Sequence, residues 1–577
     1  MVVPRDNDRV AELLWEYADL LSLQGADRFR IRAYENAARS VAGSSRDLSS
    51  LDLKALTSLS GVGKAIAEKI REWFDTGAIA ELDALRAEVG AGVRSLLAVP
   101  GLGPKRAAAV HEARGISTVE ELRAAAQKGQ LRDLPGFGAG TEEKILKATE
   151  TVVGERRIGL GVALGLAEAL VERLRDCPQV GEIASAGSLR RRRDTIGDLD
   201  VLVASTDPAP VMEAFVGSDV VTDVLAHGQT KSSVMTAEGI QVDLRVVAPE
   251  AWGAALLYFT GSKAHNVKLR EMAIRAGLKL SEYGLFDGDR VVASRTEDEV
   301  YAALGLSWIP PTLREDRGEI EAALAGELPD VIELSDIRGD LHGHTDLTDG
   351  VASLQEMVRA AEAKGYAYYA ITDHAPLLTM QRMTPEKVLE QRVAVRALEQ
   401  RSRLRLLHGS ELNIARDGSL DWPEEFLDGF DVLVASVHSH FDLPRDEMTR
   451  RLLRAIEHPC VNVIGHPTAR RMGKRPAIDF DVEAVCKAAA ATGTALEVNA
   501  SPERLDLPDE LARAAVEYGV KLAVSTDAHS IVHLDNMHLG VATAQRGWVR
   551  KADVVNAMPW RDLKRFLAKG RPASRRP

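Results

Sequence analysis

The chain has 577 residues, more than one hydrophobic core usually serves, so several domains are expected. Apolar residues make up 45% and charged residues 27%, a balance that excludes a disordered or fibrous protein. No run of 18 apolar residues occurs and the N-terminus lacks a signal-peptide pattern, so no membrane partner and no secretory leader are expected. Three widely spaced cysteines exclude a disulfide framework and favour the cytoplasm.

Charge and histidine are unevenly distributed along the chain. The net charge is −12, and residues 161–340 alone carry 18 basic against 30 acidic side chains. Bulk charge therefore gives no sign of nucleic-acid binding, which would have to come from local arrangement. Eleven of the 14 histidines lie between His342 and His538, and imidazole and carboxylate are the usual metal ligands.

Residue patterns change character along the chain. Residues 1–150 show helical apolar spacing, in 10–23, 31–41 and 65–74 among others. β-Branched runs at 200–203 and 241–247 predict strands, and the proline- and acid-rich residues 308–335 predict a linker region. From residue 336 short apolar strands alternate with helical stretches, which is typical of a parallel β/α domain.

A glycine turn recurs three times near the N-terminus, each time before a predicted helix. The pattern apolar-Gly-apolar-Gly occurs at 59–63, 99–103 and 134–138. Glycine lets a backbone approach a ligand closely, and a helix N-terminus offers N–H groups to a phosphate. This is the helix-hairpin-helix way of gripping a DNA backbone without reading its sequence; glycine caps between packed helices are the alternative. The predicted DNA-binding residues are Gly61, Gly63, Gly101, Gly103, Lys105, Gly136 and Gly138.

Three aspartates form a second predicted site. Asp198 and Asp200 are two apart on a strand and so share a face, and Asp243 lies within another apolar strand. Three neighbouring carboxylates repel one another unless cations lie between them, as in two-metal phosphoryl or nucleotidyl transfer. Gly187-Ser188, just upstream, is suited to contact a phosphate.

These motifs, followed by Tyr258 to Arg270, resemble the core of family X DNA polymerases, the DNA polymerase beta group, over residues 1–312. The resemblance implies that Asp198, Asp200 and Asp243 are catalytic and hold two Mg²⁺ or Mn²⁺ ions. It also implies nucleotide-binding positions at Gly187, Ser188, Arg191, Tyr258, Phe259, Gly261, Asn266 and Arg270. Lys263 and His265 depart from the acid and aromatic ring that the polymerase beta type carries.

Lys69 falls on the family's Schiff-base lysine, which implies a catalytic lyase role. The segment 29–34, however, departs from the family's 5′-phosphate pocket, which has a histidine. An amine nucleophile needs a lowered pKa, and a solvated lysine on a helix face is the alternative interpretation.

Nine potential metal ligands follow predicted strand ends in the C-terminal half. In a β/α barrel those ends converge on one mouth, so residues far apart in sequence can bind one metal cluster. The mixture of nitrogen and oxygen ligands suits up to three Mn²⁺, Zn²⁺ or Fe ions. The nine are His342, His344, Asp349, His374, Glu411, His438, His466, Asp527 and His529.

The same nine positions match the PHP (polymerase and histidinol phosphatase) family, whose barrel is a distorted seven-stranded one. Asn499 is similar to a family motif at the barrel mouth and is expected beside the metals or on substrate. The basic residues of 470–475 fit either a DNA-holding loop or a solvated surface. The remaining histidines of this half, His408 and His538 among them, are expected to be structural.

The sequence therefore predicts a multidomain chain. An α-helical helix-hairpin-helix region precedes an α+β nucleotidyltransferase palm and thumb and a C-terminal α/β distorted (β/α)7 PHP barrel. The predicted domains are 1–85 (lyase-like, helical), 86–155 (helical, DNA-binding), 156–248 (palm), 249–315 (nucleotide-binding thumb), 316–335 (linker) and 336–572 (PHP).

The predicted function is gap-filling DNA polymerisation in repair, with a PHP 3′–5′ exonuclease or 3′-end-processing activity and AP-site cleavage as a further candidate. A PHP phosphatase and a gap- or end-binding scaffold are the alternatives. Gapped or primed DNA, dNTPs and repair proteins are the expected partners of a monomer in the bacterial cytosol, associated with the nucleoid.

Overall fold

The computed structural model describes residues 6–42, 44, 48–59, 61–90, 92–99, 102–134, 136–152, 157–378 and 383–569. The N-terminal region is helical throughout its described part, as the apolar spacing predicts. Its helices are α1 (Asp6–Leu23), α2 (Arg28–Ala42), α3 (Leu53–Thr57), α4 (Lys64–Thr76), α5 (Ala80–Val89), α6 (Pro104–Arg114), α7 (Val119–Gln127) and α8 (Ala139–Val152).

Local chemistry sets the ends of these helices. Helix α4 ends at Gly77 and α6 at Gly115, both in the left-handed conformation that glycine adopts without strain. Proline at the first position starts α6, and a capping box between Thr118 and Glu121 starts α7. One hydrophobic core joins Val10 of α1 to Ile145 of α8, so the two predicted helical domains pack as one unit.

The palm is a five-stranded sheet with helices beside it. The strands lie in the order β2-β4-β7-β6-β5, and only the β4–β7 pair is parallel. Its elements are β1 (Ile158–Gly159), α9 (Leu160–Arg175), β2 (Ile183–Ser185), α10 (Gly187–Arg190), β3 (Thr195–Ile196), β4 (Asp198–Ala204), α11 (Pro208–Val216), β5 (Val221–His227), β6 (Lys231–Thr236) and β7 (Gln241–Val247).

The thumb extends further along the chain than the sequence predicts. It contains α12 (Trp252–Thr260), α13 (Lys263–Arg275), β8 (Lys279–Ser281), β9 (Gly284–Asp287), β10 (Arg290–Ala293), α14 (Glu297–Ala303) and α15 (Glu319–Ala325). Helix α15 lies within the predicted linker 316–335, and its Ile320 and Ala323 are buried in the thumb core. The expectation of a linker there is wrong for this helix, because proline and acidic residues around it hide its apolar positions.

The C-terminal region is a seven-stranded parallel sheet in chain order, β11 to β17. Its elements are β11 (Gly339–Asp340), α16 (Leu354–Ala363), β12 (Tyr368–Ile371), α17 (Pro385–Glu399), β13 (Arg405–Asn413), α18 (Glu424–Leu427), β14 (Val432–Ser436), α19 (Arg445–Ile456), β15 (Val463–Ile464), α20 (Val482–Thr492), β16 (Ala495–Asn499), α21 (Asp509–Glu517), β17 (Leu522–Ser525), α22 (Met537–Arg546) and α23 (Trp560–Leu567). A parallel bridge between Gly343 and Ala528 joins the segments that directly follow the first and last strands, so the sheet is a nearly closed barrel. The predicted barrel of seven strands is confirmed.

The barrel packs directly against the palm. Leu505 and Leu539 of the barrel region are buried in the same apolar cluster as Leu160 and Val201 of the palm. A Cβ added to Gly161 would lie 3.3 Å from the Cβ of Pro502, so the two backbones approach closely. Among the described residues, no helix is both long enough and apolar enough to cross a membrane.

Candidate active sites and DNA-binding turns

The three palm aspartates lie on one face of two paired strands. Asp198 and Asp200 alternate with buried Leu199 along β4. Asp200 is the direct register partner of Asp243 on β7, so the two carboxylates are on neighbouring strands. The strand pairing brings together three side chains that span 45 residues of sequence, as predicted from their periodicity.

The electrostatics of this site favour a bound cation. Burial and the charges of Asp198 and Asp243 raise the pKa of Asp200 to about 7. Burial opposes ionisation of Asp243 as well, but hydrogen bonds led by Gln241 outweigh it and lower its pKa. Lys231 Nζ lies 3.0 Å from Asp243 Oδ2. A carboxyl that resists ionisation beside two others is what a divalent ion relieves, so the residues fit Mg²⁺ or Mn²⁺.

Gly187 is required beside the aspartates because of its close approach to one of them. It has φ of +57°, and a Cβ at this position would lie 2.1 Å from Asp200 Oδ2. The next residue, Ser188, has a buried hydroxyl with no hydrogen-bond partner among the described residues. A buried hydroxyl with no protein partner is free to donate to a bound group, and a phosphate oxygen is a suitable acceptor.

The predicted nucleotide-binding residues of the thumb form one connected set. Asn266 donates from Nδ2 to the carbonyl of Tyr258 at 2.6 Å, and the Tyr258 ring meets the Phe259 ring edge-on at 5.1 Å. Arg270 lies over the Tyr258 ring at 5.8 Å. A Cβ at Gly261 would lie 3.2 Å from Arg191 Nη1. The thumb residues therefore lie next to Arg191, which is predicted to contact the triphosphate. The structure thus brings together the residues that the resemblance implied.

His265 belongs to the frame of the thumb. Its ring nitrogens lie 2.6 Å from Glu319 Oε1 and 2.9 Å from the Tyr301 hydroxyl, and all three side chains are buried. His265, which departs from the family pattern, therefore links α13 to α15 through Glu319. Lys263, the other departure, begins α13 and is exposed.

The glycine turns divide into two kinds. Gly61 and Gly136 have φ of +74° and +80°, so the turn itself requires glycine. Gly63, Gly103 and Gly138 have no atom within 4 Å of an added Cβ. A side chain would have room at these three positions, so close approach of an external chain and the preference of glycine for helix N-caps are the two physical reasons for them.

Gly101 lies outside the described residues. Gly63 and Gly103 directly precede α4 and α6, and Gly138 precedes α8, so each open glycine lies at a helix N-terminus as predicted. Lys105 is exposed in the first turn of α6.

The surroundings of Lys69 oppose the lyase role. Its Nζ lies 2.7 Å from Glu81 Oε2 and 5.7 Å from the Tyr17 ring centre. Burial lowers the pKa of Lys69, but Glu81 and Tyr34 outweigh burial and raise it. An amine nucleophile must be neutral, so the ion pair works against Schiff-base chemistry.

The nine predicted ligands of the barrel converge on its mouth. Eight of them fall into three groups whose ligand atoms lie within 4.8 Å of one another. The groups are His344, Asp349, His374 and His529; His342, His344 and Asp527; and His374, Glu411 and His438. His466, the ninth, lies outside these groups but places Nε2 3.0 Å from Glu411 Oε1.

Buried atoms in this cluster fit a metal centre. His344 Nε2 lies 3.2 Å from Asp527 Oδ1, and His342 Nε2 lies 3.6 Å from Glu411 Oε2. Neither ring nitrogen forms a hydrogen bond among the described residues. Burial opposes ionisation of Glu411, but the charges of His438, His374 and His342 outweigh it and lower its pKa. Ligand atoms that converge without bonding one another fit a cation between them, and this mixed set suits Mn²⁺, Zn²⁺ or Fe.

A surrounding layer of polar residues, which sequence analysis missed except for Asn499, orients these ligands. Glu497 Oε1 is 2.7 Å from His342 Nδ1, and Asn413 Oδ1 is 2.6 Å from His438 Nδ1. Asn499 donates to Asp527 Oδ2 at 3.1 Å, so it lies beside the ligands as expected. Such partners fix ring orientation. Glu497 and Asn413 lie on strands at alternating positions, a signal that could have found them.

One basic residue, Arg504, lies at the barrel mouth beside the predicted ligands. Arg504 Nε lies 3.7 Å from Asp527 Oδ2, and its Nη1 is buried without a hydrogen-bond partner among the described residues. The loop 470–475, in contrast, is held within the protein. Arg470 Nη1 is 3.2 Å from Asp194 Oδ2, Arg471 and Lys474 pair with Glu503, and Arg475 stacks on Phe441.

Comparison with known proteins defines the class to which this fold belongs. Family models match residues 5–79 as a helix-hairpin-helix domain, 93–151 as a SAM-like helix-hairpin-helix tandem, 255–315 as a DNA polymerase beta thumb and 340–501 as a PHP domain. The order of these matches is the order of the domains described above.

The DNA polymerase/3′-5′ exonuclease PolX of Bacillus subtilis (strain 168) is 38% identical over 565 residues, which cover 97% of this chain and 98% of that protein. Shorter matches cover the barrel. A probable phosphatase of Thermoanaerobacter sp. (strain X514) is 32% identical over 33% of this chain and 78% of its own length. A probable phosphatase of Edwardsiella ictaluri (strain 93-146) is 30% identical over 40% of this chain and 95% of its own. The chain belongs to the bacterial family X DNA polymerases that carry a C-terminal PHP domain.

Proposed function

We propose that this chain fills short gaps in DNA by adding nucleotides at the palm and trims 3′ ends at the PHP barrel. The observation that carries the proposal is the presence of two separate clusters of potential metal ligands in one chain. The first lies beside a connected nucleotide surface, and the second lies at a barrel mouth. The full-length similarity to a DNA polymerase/3′-5′ exonuclease supports this division.

At the palm, Asp198, Asp200 and Asp243 would hold two Mg²⁺ or Mn²⁺ ions, which would stabilise the charge on the attacking and leaving oxygens. The chain's own residues then bind and orient. The Ser188 hydroxyl and the Arg191 guanidinium donate to the triphosphate. Tyr258 and Phe259 offer a flat surface to the sugar, with Asn266 and Arg270 beside the base pair.

At the barrel, the nine ligands would hold up to three Mn²⁺, Zn²⁺ or Fe ions, which would supply an activated oxygen nucleophile. Among the described residues, the ligands Asp349 and His529 are the most exposed, with 19% and 26% of their side chains exposed, whereas His342 and His344 have none. A 3′ end would approach from the Asp349 and His529 side. Arg504, with its unsatisfied Nη1, is placed to donate to a phosphate.

The open glycines support DNA as the substrate. Gly63 and Gly103 have ordinary backbone angles and free space where a side chain would lie. Helix N–H groups at these positions can reach phosphate oxygens without reading base sequence. The proposal places a monomer on gapped or primed chromosomal DNA in the bacterial cytosol, taking dNTPs as its second substrate and working beside other repair proteins.

The direct test uses labelled one-nucleotide gapped DNA with Mn²⁺, with and without dNTPs. We expect extension by one nucleotide when dNTPs are present and 3′–5′ shortening when they are absent. Binding of gapped DNA with neither reaction would instead support the scaffold alternative.

A small-molecule phosphatase is the second candidate for the barrel, because two relatives that match it carry that name. Hydrolysis of p-nitrophenyl phosphate and of a single-stranded 3′ end should be compared in the same preparation. Faster turnover of the small ester, lost in His344→Asn, would favour the phosphatase.

A further inference from the structure

Helix α22 of the barrel reaches into the polymerase half of the molecule. Leu539, near its start, is buried in the palm core, and Arg546, at its end, keeps only 4% of its side chain exposed. An arginine buried to this extent must satisfy its charge and its donors through specific partners.

The Arg546 guanidinium has three such partners, two of them in the polymerase half. Nη1 donates to the main-chain carbonyl of Arg191 at 2.9 Å and to Glu315 Oε1 at 2.9 Å. Nη2 donates to Asp509 of the barrel at 2.7 Å. The side chain of Arg546, which belongs to the barrel, therefore contacts both the main chain of Arg191 and the carboxylate of Glu315.

Glu315 connects Arg546 to the side chain of Arg191. The same Oε1 that accepts from Arg546 accepts from Arg191 Nε at 3.0 Å, while Arg191 Nη1 donates to the Thr260 carbonyl at 2.6 Å. These bonds fix the Arg191 guanidinium against Gly261, beside the predicted triphosphate position.

The charge balance of this group decides what Arg191 can do. Burial opposes ionisation of Glu315, but the charges of Arg191 and Arg546 outweigh it and lower its pKa. An ionised Glu315 paired with Arg191 alone would neutralise the charge that a triphosphate needs and would repel the triphosphate itself. Arg546 shares Glu315 with Arg191 and also pairs with Asp509, so it draws part of the Glu315 charge away from Arg191 and leaves Arg191 more positive toward the nucleotide.

We propose that Arg546 of the PHP domain is a positioning residue of the polymerase site, which holds Glu315 and the main chain of Arg191 so that Arg191 can bind the triphosphate of the incoming nucleotide. The inference rests on the proposed role of Arg191. It means that the barrel completes the nucleotide site of the palm in addition to carrying its own metal cluster.

The test measures KM for the complementary dNTP and kcat on one-nucleotide gapped DNA with the full chain. Arg546→Met should raise KM about tenfold and leave kcat within about twofold, because the coupling acts on nucleotide binding. Arg546→Lys, which keeps the charge, should stay within about threefold of wild type. Unchanged exonuclease activity reports that each variant is folded.

Arg317→Met is the matched control. Arg317 lies at the same interface and donates to Asp509 at 3.0 Å and Glu510 at 3.1 Å, but its side chain bonds neither Glu315 nor Arg191. The KM of the Arg317→Met variant for the dNTP should stay within about twofold of wild type. In a Glu315→Gln background, Arg546→Met should raise KM by less than about fivefold, because the charge that Arg546 offsets is gone and only its bond to the Arg191 carbonyl is lost.

Distinct results would overturn the inference and the proposed function. If Arg191→Ala raises KM but Arg546→Met does not, or if Arg317→Met raises it equally, the positioning role is wrong. If Arg191→Ala leaves KM unchanged, the proposed triphosphate contact fails. Should Arg546→Met not fold, Arg546→Gln takes its place with the same expected rise.

Discussion

The palm site and the barrel site both gather acidic side chains, but they differ in ligand type and in burial. The palm offers three carboxylates on two strands, and Asp198 at its edge is exposed. The barrel combines six imidazoles with three carboxylates, and His342, His344 and Glu411 are fully or almost fully buried.

Because of this difference in ligand type and burial, the two sites would hold their ions in different ways. An oxygen-only site that is open on one side suits Mg²⁺ that arrives with a triphosphate and leaves with pyrophosphate. A buried, nitrogen-rich site with oriented rings suits ions that stay bound between turnovers. Metal exchange should therefore be fast at the palm and slow at the barrel.

The largest effect expected on this comparison comes from the palm. Asp200→Asn keeps the side-chain shape but removes a charge that the ions need, so nucleotide addition should fall by at least about 10³-fold. Exonuclease activity should stay within about threefold, because the barrel ligands are separate. Single-turnover primer extension and 3′ shortening, measured in parallel, provide both numbers.

Asp223→Asn is the control, since Asp223 is an exposed aspartate on strand β5 of the same sheet. Equal loss of both activities in folded Asp200→Asn would contradict the separation of the two sites.

The converse change is made at the barrel. His344 is shared by two of the three ligand groups, so His344→Asn should reduce exonuclease activity by at least about 10³-fold while extension continues. Elemental analysis after dialysis should show fewer bound Mn, Zn or Fe ions per chain. His538→Asn, at an exposed histidine outside the groups, should keep both metal content and activity. Full metal content in His344→Asn would show that this ring is not a ligand.

A smaller effect is expected at the glycine turns, which should serve both sites by holding DNA. A Cβ at Gly63 would meet no atom within 4 Å, yet Gly63→Val should block one phosphate contact and raise the Kd for gapped DNA about fivefold for every sequence. The slope of log K against log salt should become shallower by about one unit. Binding isotherms at several salt concentrations measure both quantities.

The matched control for this turn is Gly165→Val, because Gly165 also has open space but lies on α9 of the palm. If both valine variants bind DNA like wild type, the turn at 61–63 is a helix cap only.

The smallest effect on activity is expected in the frame of the barrel, away from the ligand groups, where a change acts on stability. Burial, followed by the charges of Arg392 and Arg396, lowers the pKa of His408 to about 3. The unfolded chain takes up a proton near pH 6.5 that the folded chain refuses, so this histidine makes stability fall as pH drops below 6.5. By pH 5 the loss from this group should reach about 2 kcal/mol.

Urea unfolding of the barrel at pH 7 and pH 5 measures this loss. His408→Gln should show a smaller decrease in the free energy of unfolding between the two pH values. An identical decrease in wild type and variant would mean that His408 is protonated in the folded barrel.

Much of both sites could be predicted from the sequence, because the signals are local. Asp198 and Asp200 share a face through strand periodicity, and the glycine turns carry their own spacing. Eight of the nine predicted barrel ligands follow strand ends and Glu411 lies near the end of β13, and strand ends of a parallel barrel converge whatever lies between them. Residue type and position relative to a strand were therefore enough to choose them.

Contacts between charged residues far apart in the chain could not be predicted from the sequence. Glu81 faces Lys69 and opposes the lyase role, and Arg546 meets Glu315 across 231 residues. Helix α15 packs into the thumb where a linker was expected, and Leu539 completes the palm core. Ion pairs and core contacts between separate domains leave no periodic pattern in the chain, because they depend on how whole domains dock. Residue patterns were thus enough to predict the ligands of each site, whereas the neighbours of those ligands depend on how the domains dock.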